Sequence, residues 1–188
     1  MNLVRLVGEI HDLLDRLEIA HAFGGALALA YYAEPRGTMD IDVNVFVGFS
    51  SAGDVVSSMG ELNLHADKHS SEWLPVAGVR LSRPSDNAIV DLFFSIDETI
   101  YAEVRKRARR FPFADHPEIP FLSPEDLVMF KMSFNRDKDW VDIHHLLEHT
   151  PNLDINYIER QIISLRGPTM YPRLAVLRDA SRKAHPGG

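Results

Sequence analysis

The 188-residue chain has no cysteine. That excludes a disulfide framework, a thiolate nucleophile and any cysteine-ligated zinc site. No apolar run approaches the length of a bilayer span. The N-terminus is acidic from Glu9 onward and helical in its apolar spacing, unlike a signal peptide. These absences give the expectation of a cytoplasmic protein with no membrane association. Positive charge is also in short supply, with a formal net charge of −7. The deficit is uneven: residues 1–103 sum to −10 and residues 104–188 to +3. An acidic half able to bind metal, joined to a mildly basic half, suits an enzyme acting on a phosphate-bearing partner. There is no internal repeat and no low-complexity segment.

What is present reads as one domain with a helical appendage. Leu3, Leu6, Val7, Ile10, Leu13, Leu14 and Leu17 fall at helical spacing, so residues 2–18 form an amphipathic helix. A strand over 19–23, a Gly24-Gly25 turn and a short helix over 26–32 follow. Pro35 and Gly37 break that helix before a strand running from Asp40 to about Gly48. Residues 50–62 read as a helix and 63–77 as ambiguous. Strands at 78–81 and 88–94 flank a turn at 83–87. A helix is expected over 97–110, its C-terminal end carrying Arg105, Lys106, Arg107, Arg109 and Arg110, where cations suit the helix dipole. The proline-rich stretch 111–122 reads as irregular or extended. Ser123-Pro124-Glu125-Asp126 is a well-formed helix start, and helices are expected to about residue 135, then over 140–149, 154–165 and 171–183. Strand–helix alternation followed by helices alone gives an α+β (mixed) class. The expected organisation is a sheet core over 1–115 and a helical C-terminal part over 116–188.

Candidate chemistry starts at Asp40 and Asp42. Period-2 alternation puts both on one strand face, about 7 Å apart, with Ile41, Val43 and Val45 on the other. Two such carboxylates repel and attract a cation, read here as magnesium holding a nucleotide. The glycine pair can bring backbone close to a ligand and leaves N–H groups free for an anion. Asp91 lies inside the apolar run 89–94, where a charge needs a partner. Lys131 falls in a broad apolar helical stripe. Arg136-Asp137-Lys138-Asp139 reads as a polar break, and Asp139, Asp142 and Leu146 lie on one side of the helix that follows. His65 and His69 are spaced i, i+4, and His144, His145 and His149 cluster. Without a His-Glu-x-x-His motif they do not point to zinc.

The arrangement Phe23-Gly24-Gly25, short helix, Asp40-Ile41-Asp42 resembles the signature of the polymerase-β-like nucleotidyltransferase superfamily. The longer pattern is similar to AbiEii-like toxins of toxin–antitoxin systems. Gly24-Gly25-Ala26-Leu27 is followed by Arg36-Gly37-Thr38-Met39-Asp40-Ile41-Asp42, then by Lys131 and by Arg136-Asp137-Lys138-Asp139-Trp140-Val141-Asp142. The resemblance implies a small twisted mixed sheet with flanking helices. It also implies transfer of a nucleoside monophosphate from a nucleoside triphosphate to an acceptor, typically the 3′ end of tRNA, with a cognate antitoxin as partner. Carried onto this chain, Asp40 and Asp42 would hold Mg²⁺, with Asp91 as a third metal ligand or base. Gly24, Gly25, Arg36 and Thr38 would contact nucleotide. Lys131 would reach the triphosphate, and Asp142, rather than Asp139, would orient it.

Two other readings stand beside this one. Antibiotic-modifying nucleotidyltransferases share the Gly-Gly and Asp-apolar-Asp pattern but often place His where this chain has Thr38. A non-catalytic binding or antitoxin module would have no reason to retain both aspartates and Lys131.

Overall fold

The computed structural model describes residues 2–66 and 78–185. His69 and most of the ambiguous stretch 63–77 lie outside the described residues. In chain order the elements are α1 (Leu3–Arg16), β1 (His21–Phe23), α2 (Gly25–Leu29), β2 (Asp40–Gly48), α3 (Ala52–Ser58), β3 (His65–Ala66), β4 (Gly78–Arg83), β5 (Ala88–Ser95), α4 (Glu98–Arg107), β6 (Arg109–Phe113), β7 (His116–Phe121), α5 (Pro124–Phe134), α6 (Asp137–His149), α7 (Ile155–Arg166) and α8 (Tyr171–Ala184). Among the described residues, no helix is long and apolar enough to cross a membrane.

The chain forms two compact units, residues 1–27 with 37–122, and residues 28–36 with 123–188. The first holds a seven-stranded sheet in the order β3-β4-β5-β2-β1-β7-β6. The β2–β5 and β1–β7 pairs are parallel and the others antiparallel, so the sheet is mixed. β2 and β5 lie near its centre because their apolar positions are the most strongly patterned in the chain. Ile41, Val43 and Val45 on β2 are fully buried, as are Val90, Leu92 and Phe94 on β5. α1 buries the stripe Leu6, Val7, Ile10, Leu13 and Leu14, and its first turn is capped by Asn2, which accepts from the Arg5 amide at 3.1 Å.

Three sequence expectations differ from the structure, each for a local reason. The helix expected to reach Arg110 stops at Arg107. Ala108 turns to extended geometry, and Arg109 and Arg110 pair with Phe121 and Pro120 instead. The proline-rich stretch, read as irregular or extended, is extended and is paired as a hairpin. Its prolines fall where a missing N–H costs little. Pro112 sits at the register shift between Phe111 and Phe113, and the β7 ladder to β1 is confined to Phe121. Ala114 takes the left-handed turn conformation, φ 52°, that a sequence reader expects of Gly or Asn. β7 therefore belongs with the sheet unit, although it follows residue 115. Third, the helix expected over 50–62 is regular only at Ala52–Ser58, with 3-10 turns on either side.

The second unit is helical and built around buried polar links. Ser123 caps α5, its Oγ accepting from the Asp126 amide at 3.1 Å. The Asp126 carboxylate, fully buried, accepts from Ser123 Oγ and from Tyr157 Oη of α7, the latter at 2.7 Å. Arg173 of α8 donates to the Met132 carbonyl at 2.8 Å near the C-terminal end of α5, where unpaired carbonyls favour a cation. Asn135 ends that helix in the left-handed conformation, φ 58°.

In the first unit, α1 meets β1 through a histidine pair. His11 Nδ1 lies 3.0 Å from His21 Nε2, and His21 Nδ1 lies 2.9 Å from the Ile19 carbonyl. Burial lowers the pKa of His21 to about 4, so His21 is neutral in the native state. The unfolded chain takes up its proton near 6.5, before the native state does. The pair's stability is therefore full above that pH and declines as pH falls toward 4. Replacing His21 with Leu is expected to remove about 3 kcal/mol of pH-dependence between pH 6.5 and 4, measured as the difference in urea-unfolding free energy at the two pH values.

Candidate functional site

β2 presents Asp40, Asp42 and Asn44 on one face; the two aspartates are half-buried and Asn44 is buried. Each aspartate is held by a different device. Thr38 Oγ1 donates to Asp40 Oδ1 at 2.5 Å, clamping a carboxylate at the strand's first residue. Asp42 is seated on the glycine turn. A Cβ on Gly25 would stand 1.7 Å from Asp42 Oδ2 and 2.7 Å from its Cγ, an overlap that only a displaced Asp42 carboxylate would relieve. Gly25 also has φ +54°, the left-handed region that disfavours any residue with a Cβ. Gly24 donates its amide to the Asp42 carbonyl at 2.9 Å, and a Cβ there would press on Asn44 Nδ2 at 3.0 Å. Asp42 itself approaches this glycine turn closely.

Asp91 lies on the same unit's sheet, directly in register with Asp42, and Arg80 of β4 is in register with Asp91. Arg80 forks both carboxylate oxygens, Nε to Oδ1 and Nη2 to Oδ2, each at 2.8 Å. Asp91 therefore has the partner that its apolar run demands. Sequence reasoning did not single out Arg80. A signal was present: a hairpin closed by Arg83 opposite Ala88 puts residue 80 opposite residue 91.

The second unit gathers Arg36, Lys131 and Asp142. Asp142, with its side chain only 1% exposed, accepts from Arg36 Nε and Nη2 at 2.8 and 2.9 Å and from Lys131 Nζ at 2.6 Å. Burial pushes its pKa up, but the hydrogen bonds from Arg36 and Lys131 outweigh this and hold it below the ordinary carboxylate range. Lys131 is 5% exposed and does not snorkel to water. Two cations and one anion leave this cluster with one positive charge in excess. Arg36 is bound to Asp142 here, so its position is that of a brace. Asp139 is spent elsewhere. It accepts from Arg136 Nε and Nη2 at 2.8 and 3.0 Å and from the Arg136 amide at 3.0 Å, closing the start of α6.

The first unit thus brings together Gly24, Gly25, Thr38, Asp40, Asp42 and Asp91, and the second brings together Arg36, Lys131 and Asp142. The donor set of β2 suits a hard divalent cation, since two half-buried carboxylates offer oxygen ligands. Among the described residues, no three His, Cys, Asp or Glu side chains are gathered into a metal cluster.

No family model matches the sequence, and no curated protein does. Solved structures do resemble it in fold. ANT(2'')-Ia in complex with adenylyl-2''-tobramycin matches with a TM-score of 0.57 and 16% identity, over 97% of this chain and 98% of that one. The lincosamide antibiotic adenylyltransferase LnuA, with lincomycin bound, matches at 0.54 and 15%, over 76% and 94%. An antigenic nucleotidyltransferase-like protein from Paracoccidioides brasiliensis matches at 0.51 and 16%, over 98% and 97%. Likeness at this identity is one of fold alone: the chain shares the mixed α+β architecture of these structures.

Two outcomes follow from the geometry. Gly25→Ala should destabilise the protein by about 2–4 kcal/mol, summing left-handed strain and overpacking. In an Asp42→Ala background the same change should cost about 1–2 kcal/mol, the left-handed strain that remains once the carboxylate is gone. A double-mutant cycle by chemical denaturation reads this coupling. Asp142→Asn, which leaves buried Lys131 without its counter-charge, should cost about 2–3 kcal/mol, reduced from the fully buried case because Arg36 is 37% exposed. Adding Lys131→Met to Asp142→Asn should recover part of that loss in the same measurement.

Proposed function

We propose that this chain is a magnesium-dependent nucleotidyltransferase that moves a nucleoside monophosphate from a nucleoside triphosphate to the 3′ end of an RNA acceptor, tRNA in the first instance. On this reading it acts as the toxin of a toxin–antitoxin pair. The observation that carries the enzymatic part is the moulding of Gly25 on Asp42, whose carboxylate leaves no room for a Cβ. A turn kept free of side chains to seat one half-exposed carboxylate is costly in chain entropy and has no value to a strand that needs only to pair. The RNA acceptor and the antitoxin rest on the resemblance of the Arg36-to-Asp42 and Lys131-to-Asp142 stretches to AbiEii-like toxins.

Asp40 and Asp42 would hold the metal, which when bound neutralises charge on the triphosphate and the leaving pyrophosphate. Thr38 fixes the Asp40 carboxylate, and the glycine turn fixes that of Asp42. Fixed ligands need no reorganisation when the substrate arrives, which is where preorganised sites gain their rate. Lys131 would supply a point charge to the triphosphate, with its Nζ oriented by Asp142. Arg36 would position Asp142 instead of touching phosphate. Asp91 is the candidate for a third ligand or for the base that takes the acceptor's proton.

A second reading has its own support. One fold neighbour is in complex with adenylyl-2''-tobramycin and another is a lincosamide antibiotic adenylyltransferase with lincomycin bound, so a small hydroxyl-bearing acceptor is the alternative. Purified protein, Mg²⁺ and each labelled nucleoside triphosphate should label total tRNA. Asp40→Ala and Lys131→Ala should each abolish that labelling. Labelling of tobramycin or lincomycin without labelling of RNA would replace the first reading with the second, and no magnesium-dependent nucleotide binding would sink both.

A further inference from the structure

We propose that Arg80 is a built-in counterion of the carboxylate face, occupying in the metal-free protein the electrostatic place that a divalent cation takes on binding. The inference rests on the metal reading of Asp40 and Asp42 given above. Its starting point is a row of three residues across three neighbouring strands: Arg80 on β4, Asp91 on β5 and Asp42 on β2. In-register neighbours stand about 4.8 Å apart and point to the same side of the sheet. Asp40 lies two residues before Asp42 and shares that face. Three carboxylates therefore share one face of the neighbouring strands β2 and β5.

Such a patch is unstable without a cation. Asp91 is the most exposed to this problem because its side chain is only 3% accessible, whereas Asp40 and Asp42 reach water. Arg80 meets the need with two parallel hydrogen bonds at 2.8 Å, a geometry that lysine cannot reproduce. The Arg80 side chain itself is 31% exposed, so it stands at the edge of the patch instead of being locked in the core.

A fork of this kind uses one lone pair on each oxygen and leaves others available. A metal ion arriving at Asp42 would then share the patch with a fixed guanidinium, and the two positive groups repel. By linkage, Arg80 weakens the cation's hold as much as the cation weakens that of Arg80. The functional consequence is coupled loading. Metal alone binds weakly, and binds well when accompanied by a triphosphate whose negative charge offsets Arg80. Metal and nucleotide are then taken up together.

The test is nucleotide-free binding of Mn²⁺, used as the probe ion and followed by its electron paramagnetic resonance signal. Arg80→Gln should bind Mn²⁺ about tenfold more tightly than the parent, the scale of one nearby charge at the intermediate dielectric of a protein surface. Mg²⁺ should also raise its melting temperature by more. Arg80→Lys, which retains the charge, should stay within about twofold of the parent, since it changes geometry and not charge. A folded Arg80→Gln that binds Mn²⁺ equally or more weakly overturns the proposal, and so does a tenfold change in Arg80→Lys. Asp42→Asn separates the two layers of the argument. If it leaves Mn²⁺ binding unchanged, the metal reading itself is wrong; if it abolishes binding while Arg80→Gln has no effect, only the role of Arg80 falls.

Discussion

The contact between the Asp42 carboxylate and the backbone of Gly25 is the constraint from which most of the first unit's site follows. The carboxylate occupies the space that a Cβ at position 25 would need, and that left-handed glycine opens α2. The neighbouring Gly24 amide binds the Asp42 carbonyl, so backbone and side chain of the same aspartate are both anchored to the turn. β2 can then present Asp40 beside it with the Thr38 hydroxyl as a further restraint. A strand face carrying two charges would ordinarily be mobile and solvated. Here each charge lies against a specific local feature, the Thr38 hydroxyl or the glycine turn.

Much of this was legible from residue order alone. Period-2 alternation placed Asp40 and Asp42 together, and the apolar run around Asp91 signalled a buried charge in want of a partner. The reason for Gly25 was not legible, because a glycine pair reads the same whether the approaching group is a ligand or a side chain seventeen residues further along the chain. Arg80 was recoverable only by fixing the hairpin register first. Asp139 and Asp142 stand one helical turn apart on α6, and spacing alone cannot say which one pairs with Lys131. Their partners distinguish them: Arg136 closes the helix start on Asp139, while Arg36 and Lys131 converge on Asp142. The hairpin over 109–121 was missed because proline and the lack of glycine at Ala114 mask a turn whose conformation is set by the strands on either side.

The second unit makes a different use of charge. Asp142 is ionised despite burial because it is outnumbered by cations. Its negative charge serves to hold Arg36 and Lys131 close together, which two cations would not tolerate unaided. Segment 28–36, on which Arg36 lies, belongs to this unit although it interrupts residues of the sheet unit in sequence. The signature that runs unbroken from Gly24 to Asp42 on paper is therefore divided between two packing environments.

The β6 strand has a bearing on how the protein behaves in a crowded solution. It is one border of the sheet, and a border strand offers unpaired amides and carbonyls to any other extended chain. Pro112 deletes a donor there and throws the register out of step, while the exposed Arg109 and Arg110 repel a second copy approaching with the same edge. The residues that disguise this strand from a sequence reader are the ones that keep it from templating aggregation.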